Sequence, residues 1–383
     1  MEIKNLKKTA NRILKAVKQK EKIILYGDAD LDGVTSVIIL KETIQNLGGR
    51  VRAIYFPDRE TEGYGISQDG LNFLKKFSPA LLITLDCGIS NFKEVKLAKK
   101  IGFEVIIIDH HEILDKLPEA QIIVDPKQAD DKYPFKGLAT VGISFKLSEI
   151  LLKEKMSSEL RKNFLELVAI ATLADMMPQV NENKIFTEEG LRSLENSWRP
   201  AIKTFFETDF LKNYNLNQKV SKIISILNVR DVKNNLPAPF RLLTAASEKE
   251  AKEIIANLLE KSKLRREKIK EITEEIEERI FKKEEPIIFE GDLTFDLSLI
   301  SAVASILCQK SQKPVFVFKK LKEESHGTVR APAGIDSVFL MKKCQKYLIT
   351  YGGHSQASGF RIKNENLTKF RECLLKQFKT YTN

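Results

Sequence analysis

The sequence predicts an α/β fold: a doubly wound, mainly parallel sheet joined by a long helix to a smaller α/β domain. Three observations predict it. Five short runs within residues 22–124 are almost continuously apolar, the pattern of strands covered on both faces. The segments between them have helical length and end in glycine. A charged stretch over 244–283, free of Gly and Pro, then separates them from a second β-rich start.

In residues 1–20 seven Lys or Arg stand against one Glu, and Ile3, Leu6, Ala10, Ile13, Leu14 and Val17 recur at helical spacing. This predicts an amphipathic helix with a solvated lysine face, a nucleic-acid contact being the secondary reading. The strands follow as KIILY (22–26), VRAIYF (51–56), ALLITL (80–85), EVIII (104–108) and QIIV (121–124). VTSVIILKETIQNLGG and NFKEVKLAKKIGF supply crossover helices, so the strands run parallel. Helical patterns continue through SFKLSEILLKEK and NFLELVAIATLAD to residue 198. In the charged stretch Ile254, Leu258, Leu264, Ile269, Ile272, Ile276 and Ile280 mark a long helix joining two lobes, its charge mostly a solvated face. PIIFEGDLTF and PVFVF (314–318) open the last domain. The expected division is 1–200, a helical connector over 201–285, and 286–383.

Of 383 residues, 43% are hydrophobic and 30% charged, the balance of a globular protein with two or three cores. No apolar run approaches the ~20 residues of a membrane span, and the N-terminus lacks a secretory apolar core. A cytoplasmic setting without membrane contact is expected. Cys87, Cys308, Cys344 and Cys373 are scattered with no C-x-x-C pair. That speaks against structural zinc and against disulfides, and all four are expected as small buried hydrophobes. The formal charge of +11 favours a polyanionic partner, nucleic acid above all.

The acids carry the chemistry. The first strand runs into Gly27-Asp28-Ala29-Asp30-Leu31-Asp32-Gly33, the third ends in Asp86-Cys87-Gly88, and the fourth in Asp109-His110-His111. The helical stretch VAIATLADMMP ends in Asp175. Open α/β sheets place ligands at the carboxyl ends of their strands. Asp28, Asp30, Asp32, Asp86, Asp109 and Asp175 would repel one another there and their pKa values would rise. Divalent cations remove that repulsion, and a mixed carboxylate and imidazole set suits Mn²⁺ best, with Mg²⁺ or Zn²⁺ as alternatives. A solvated turn explains any one of these motifs taken singly, but not all four at element ends. An EF-hand loop begun at Asp28 would need Glu at its twelfth position, where Ile39 stands, no G-x-G-x-x-G follows the first strand, and no P-loop is present.

YGDADLDGVTS, LDCGIS (85–90), IDHHEI (108–113), LVAIATLADMMPQVNENKIFTEEGL (167–191) and GGHSQASGF (352–360) together resemble the motifs of the DHH phosphoesterases, within them the RecJ-like exonucleases. DPKQADDKYPFKGLATVGISFKL (125–147) is similar to the stretch RecJ-like chains carry next, and Ala29 stands where an aromatic residue is usual. The resemblance implies a 5′→3′ exonuclease that hydrolyses single-stranded DNA to mononucleotides in repair and recombination. It implies two divalent cations held by Asp28, Asp30, Asp32, Asp86, His110 and Asp175, with Asp86 shared. His111 would face the scissile phosphate, and Asp109 would orient a neighbouring histidine. Arg59, Arg230, Thr328 and Arg330 would grip a 5′ phosphate, with Gly352, Gly353 and His354 beside them. All four histidines, His326 included, are expected in or near the site.

RecJ-like chains usually carry an added OB-fold after the GGH motif. The sequence leaves little room for one, so a weaker grip on long strands, or a single-strand-binding or helicase partner, is expected. Two rival readings follow from the same resemblance. One is a DHH hydrolase of short oligonucleotides or nucleotide phosphates; the other is a non-catalytic replisome scaffold, which would have lost ligands that this chain keeps.

Overall fold

The computed structural model describes residues 2–59, 61–113, 116–281 and 285–382. The chain forms two compact units, residues 1–259 and 260–383.

The first unit is built on a five-stranded parallel sheet of β1 (Ile23–Gly27), β2 (Val51–Tyr55), β3 (Ala80–Leu85), β4 (Phe103–Ile108) and β5 (Ile122–Val124), in the order β2-β1-β3-β4-β5. β1 pairs with both β2 and β3, so the chain reverses its direction of travel across the sheet beside β1. β1 and β3 are buried along their whole length, as their unbroken apolar runs require. One face packs against the helices Leu6–Lys18, Leu31–Asn46, Thr140–Leu152 and Ser158–Ala174 in the larger core. The other face carries a smaller core with Leu71, Leu74, Val95 and Ala98. The N-terminal helix buries Leu6, Ala10 and Ile13, and leaves most of its lysines in solvent. Short helices through residue 243 complete the unit, together with a two-stranded ribbon, β6 (Val232–Lys233) and β7 (Leu236–Pro237).

The charged stretch is one helix, Glu248–Ile280, of 33 residues. Its apolar positions divide between two cores: Ala251, Ile255 and Leu258 belong to the first unit, Ile269 and Ile276 to the second. Leu264, expected on the buried stripe, is 50% exposed. It lies where the helix is in neither core.

The second unit holds a mixed sheet of β8 (Ile288–Asp292), β9 (Val315–Lys320), β10 (Glu324–Arg330), β11 (Leu348–His354) and β12 (Ala357–Lys363), ordered β11-β12-β10-β9-β8. Only β8 and β9 run parallel, joined by the crossover helix Leu297–Ser311. The expectation of four reduced, buried cysteines fails here. Cys87 and Cys308 are free and buried, but Cys344 and Cys373 form a disulfide. Their sequence separation of 29 hid the pair, because the helices Ser337–Lys343 and Leu367–Thr382 bring their Cα atoms to 6.0 Å only on folding. Among the described residues no helix is long and apolar enough to cross a membrane.

Candidate metal centre

Four connections at the carboxyl edge of the first sheet bring the acids together. β1 ends at Gly27, and the chain turns through Asp28 into the helix Leu31–Asn46, which Asp30 caps by accepting from the Gly33 N–H at 3.1 Å. The turn needs glycine at 33, because a Cβ there would meet the Asp28 carbonyl oxygen at 2.4 Å. Asp32, in the first helical turn, is 1% exposed. Its two oxygens accept from the Thr140 and Val141 amides at 2.8 and 2.7 Å, at the start of the helix Thr140–Leu152. β3 runs into Asp86, whose φ of 61° lies in the left-handed region. The Thr140 hydroxyl donates to its Oδ1 at 3.2 Å. β4 runs into Asp109, which is fully buried and accepts from the Ile89 and His110 amides at 3.1 and 2.8 Å. Asp175 caps the C-terminal end of the helix Ser158–Ala174.

His110 stands at the middle. Its Nε2 lies 3.4 Å from Asp86 Oδ1, 3.5 Å from Asp175 Oδ2 and 3.7 Å from Asp32 Oδ2. Ligand atoms gather in three groups: Asp86 with His110 and His111, Asp32 with His110 and Asp175, and Asp28 with Asp30 and Asp86. Within each group the atoms lie inside 4.8 Å of one another. Asp86 and His110 each belong to two groups, which is the overlap that neighbouring cations need.

The charges are unbalanced as they stand. Burial, then the charges of Asp30 and Asp175, push the Asp32 carboxyl up to about 8. Burial, then Asp32 and Asp30, hold Asp86 well above the usual carboxylate range. Asp175 rises to about 6, again chiefly through burial. Burial depresses His110 to about 4, the state in which an imidazole can ligate. Asp175 Oδ2 is buried with no hydrogen-bond donor, and so is His110 Nδ1 without a partner. Carboxylates that resist ionisation, an orphaned carboxylate oxygen and a neutral imidazole are what a divalent cation would correct.

Asp109 and His111 form a different pair. Burial opposes both charges, yet the 2.7 Å bond from His111 Nδ1 to Asp109 Oδ1 lowers the carboxyl and raises the imidazole. Tyr64 was missed in the sequence. Its hydroxyl lies 3.1 Å from both the Asp86 carbonyl oxygen and His111 Nδ1, and its ring meets the imidazole edge-on at 5.4 Å. Its neighbour Arg59 was the available signal, in the same stretch FPDRETEGYG.

Arg59 donates to both Asp28 and Asp30, the latter at 2.9 Å. Arg230 holds Asp58 with both bonds at 2.8 Å. Both arginines line a cavity of about 410 Å³ together with Asp30, Asp32 and Asp175. In the second unit, β10, β12 and β11 lie side by side. Thr328, Gly359 and Gly352 share one row; Val329, Ser358 and Gly353 the next; Arg330, Ala357 and His354 the third. Thr328, Arg330, Gly352, Gly353 and His354 therefore gather at one end of three strands. Arg330 is steadied there by Ser305 at 3.1 Å and Thr328 at 3.2 Å. His326 stands apart from those rows, opposite Arg361 and paired with Glu324 at 2.7 Å.

Residues 22–172 match the family model described as the DHH family, N-terminal domain. The single-stranded-DNA-specific exonuclease RecJ of Bacillus subtilis is 33% identical over 379 residues, 97% of this chain. Residues 22–172 are a DHH-family domain. Its DHH triplet is Asp109-His110-His111, with Asp109 and His110 buried and His111 at the surface of the site. The RecJ of Thermus thermophilus is 27% identical over 377 residues, covering 96% of this chain and 54% of that one. A crystal structure of exonuclease RecJ bound to manganese superposes with a TM-score of 0.81 at 25% identity, over 98% of this chain and 95% of that one. This chain spans about half the length (48%) of the Bacillus subtilis relative.

Proposed function

We propose that the chain is a metal-dependent exonuclease that removes mononucleotides from the 5′ end of single-stranded DNA in the cytoplasm. The observation that carries the reading is the overlap of three ligand groups on Asp86 and His110. In support, the relatives similar along most of the chain are named as single-stranded-DNA-specific exonucleases, and one similar structure is described as bound to manganese.

Asp28, Asp30, Asp32, Asp86, His110 and Asp175 would hold two divalent cations, Mn²⁺ in the first instance and Mg²⁺ as the alternative. Such ions supply charge neutralisation at the phosphate and a more acidic attacking water. The rest falls to the chain itself. The Asp109 carboxylate, 2.7 Å from His111 Nδ1, raises that imidazole and orients it, so that the ring can donate to a phosphoryl oxygen as charge builds there. Tyr64 steadies the same ring, its hydroxyl 3.1 Å from Nδ1 and its own ring set edge-on against the imidazole. The helix amides at Thr140 and Val141 hold Asp32 in one orientation, so it need not reorganise when the phosphate arrives. Arg59 and Arg230 would meet substrate phosphates from the cavity wall, and Thr328, Arg330 and His354, gathered at one end of three strands of the 286–383 domain, would supply further phosphate contacts.

Digestion of a long 5′-labelled single strand tests the reading. The expected result is stepwise mononucleotide release with Mn²⁺, stopped by EDTA and faster on a 5′-phosphorylated end. Cleavage of dinucleotides alone would assign the chain to the hydrolases of short oligonucleotides. No release under any divalent cation would refute the proposal.

A further inference from the structure

The strands of the first sheet run parallel, so their carboxyl ends share the acidic edge and their amino ends share the opposite one. That opposite edge is basic. Lys22 precedes β1, Arg50 and Arg52 lie at the start of β2, Lys75 and Lys76 precede β3, and Lys100 precedes β4. All six are exposed. Three contacts tie the neighbouring connections together. The Leu81 N–H donates to the Lys22 carbonyl oxygen at 2.9 Å, the Ser78 hydroxyl donates to the Ile101 carbonyl oxygen at 2.6 Å, and the Arg52 guanidinium lies 5.4 Å over the Phe77 ring. Neighbouring strands are about 4.8 Å apart, so a row crossing β2-β1-β3-β4 is about 14 Å long.

The acids that flank this edge are already engaged. Arg12 holds Glu21 and Glu104, each at 2.6 Å, and Lys99 holds Glu119 at 3.6 Å. Among the described residues no carboxylate lies within ion-pair distance of any of the six cations. Lysines at the carboxyl end of a helix complement its dipole, and charge on an edge strand guards it against pairing. Those rules account for Lys100 and Arg52 one at a time. They account neither for Lys22, which opens an interior strand, nor for the lack of acids along the row. The mutual repulsion is left for a polyanion to offset.

Aromatic rings are interleaved with the charges. The pairing of β1 with β2 steps from Ile23 opposite Val51 to Ile24 opposite Ala53, so Arg52 is the extra residue of a bulge, a device that re-aims a side chain. It is aimed at Phe77, whose ring Lys76 also approaches at 5.2 Å, and Lys76 lies 4.0 Å over Phe73. Phe73 is 42% exposed. Cations set among exposed rings suit a single strand, with phosphates on the charges and bases on the rings.

We propose that the amino edge of the first sheet is a second binding surface for single-stranded nucleic acid, separate from the metal centre. β3 has six residues, so at about 3.3 Å each the row lies about 20 Å from Asp86. The kind of polyanion follows from the nuclease reading, on which this inference rests. The row holds a strand by its backbone, whatever its sequence, while the opposite edge acts on an end. A flexible strand can follow a twisted sheet edge, which a stiff duplex touches only at a tangent.

The test is fluorescence anisotropy of a labelled oligothymidylate on the full chain, in EDTA to stop hydrolysis, titrated across salt concentrations. It compares the native protein, K22Q/R52Q/K76Q/K100Q, and an equal loss of charge elsewhere, K153Q/K155Q/K162Q/K184Q. Far-UV circular dichroism and an unchanged Mn²⁺-induced melting shift certify the fold. Each single-strand phosphate contact contributes about 0.7 to the slope of log affinity against log salt, so the row variant should lose about 2–3 from that slope and bind at least ~10-fold more weakly at low salt. The control should lose less than half as much. Acetylation footprinting of the native chain needs no variant: the oligothymidylate should protect Lys22, Lys75, Lys76 and Lys100, and leave Lys153 and Lys155 reactive. A native slope in the row variant, or no protection of those four lysines, overturns the proposal and leaves the nuclease reading intact. An equal loss in the control also overturns it, as does tighter capture of polyglutamate or of phosphatidylserine vesicles than of the oligonucleotide. If the native chain neither binds nor degrades single strands, both readings fall together.

Discussion

Replacing Asp86 by asparagine isolates the shared ligand. The change is nearly isosteric, asparagine tolerates the left-handed backbone found there, and Oδ1 can still accept from Thr140. What disappears is one negative charge that belongs to two of the three ligand groups. Unit charges 4 Å apart interact by about 4 kcal/mol at an effective dielectric of 20, so losing one such contact with a cation corresponds to about a thousandfold in affinity or turnover. The opposite effect is expected without metal. Burial and the charges of Asp32 and Asp30 oppose the ionised carboxylate, so the amide relieves the site and the metal-free variant should melt no lower than the native protein. Native protein at a hundred times its Kd for Mn²⁺ gains about 2.7 kcal/mol, a melting shift of about 5–10 °C for a unit of this size. Differential scanning fluorimetry in EDTA and in Mn²⁺, beside strand digestion, reads both. A variant that keeps the Mn²⁺ shift and digests within tenfold of the native rate would refute the assignment of Asp86 as a ligand.

The raised acids set a pH dependence. Asp32 titrates at about 8 and Asp175 at about 6 in the folded chain, both above their ordinary value of 3.8. Their contribution to metal-free stability is therefore complete below the unfolded value and is lost as pH rises through 6 and then 8. Melting in EDTA should fall over that window while the Mn²⁺ shift grows; a Mn²⁺ shift that is flat across it would contradict the mechanism. Met176 occupies the position after Asp175 at φ 53°, where a helix end favours glycine, and is 88% exposed. Met176→Gly should stabilise the metal-free chain by about 0.5–1 kcal/mol, read from urea midpoints, and a lowered midpoint would show that the side chain supports the fold. Cys344→Ala with Cys373→Ala removes a cross-link spanning 29 residues, worth about 3–4 kcal/mol by loop-closure entropy. Calorimetry with and without reductant should show that loss in the native protein and no reductant effect in the double variant.

The fold and the acids were legible because both are local in sequence. An unbroken apolar run such as ALLITL can only be a strand covered twice, and the acid that follows it must then sit at the sheet edge. Asp175 was legible for the same reason, at the end of a helix stopped by Met176-Met177-Pro178. What could not be read depends on separate elements meeting. Tyr64 reaches His111 across 47 residues, and the amides that hold Asp32 come from Thr140 and Val141. Backbone donors carry no residue-type signature at all. The Cys344–Cys373 bond shares that origin, since its partners approach through helix packing. Arg59 was expected to grip a 5′ phosphate, and its bonds to Asp28 and Asp30 place it on the acids themselves.

The grip of the Thr140 and Val141 amides on Asp32 spans 108 and 109 positions of the chain. During synthesis the first acidic motif leaves the ribosome long before the segment that orients it, and Asp175 comes later still. A nascent fragment ending before residue 140 owns most of the acids but not the clamp, so it has no geometry with which to select one cation over another. The ligand set and the clamp that orients it are thus complete only once the chain has been made through Asp175.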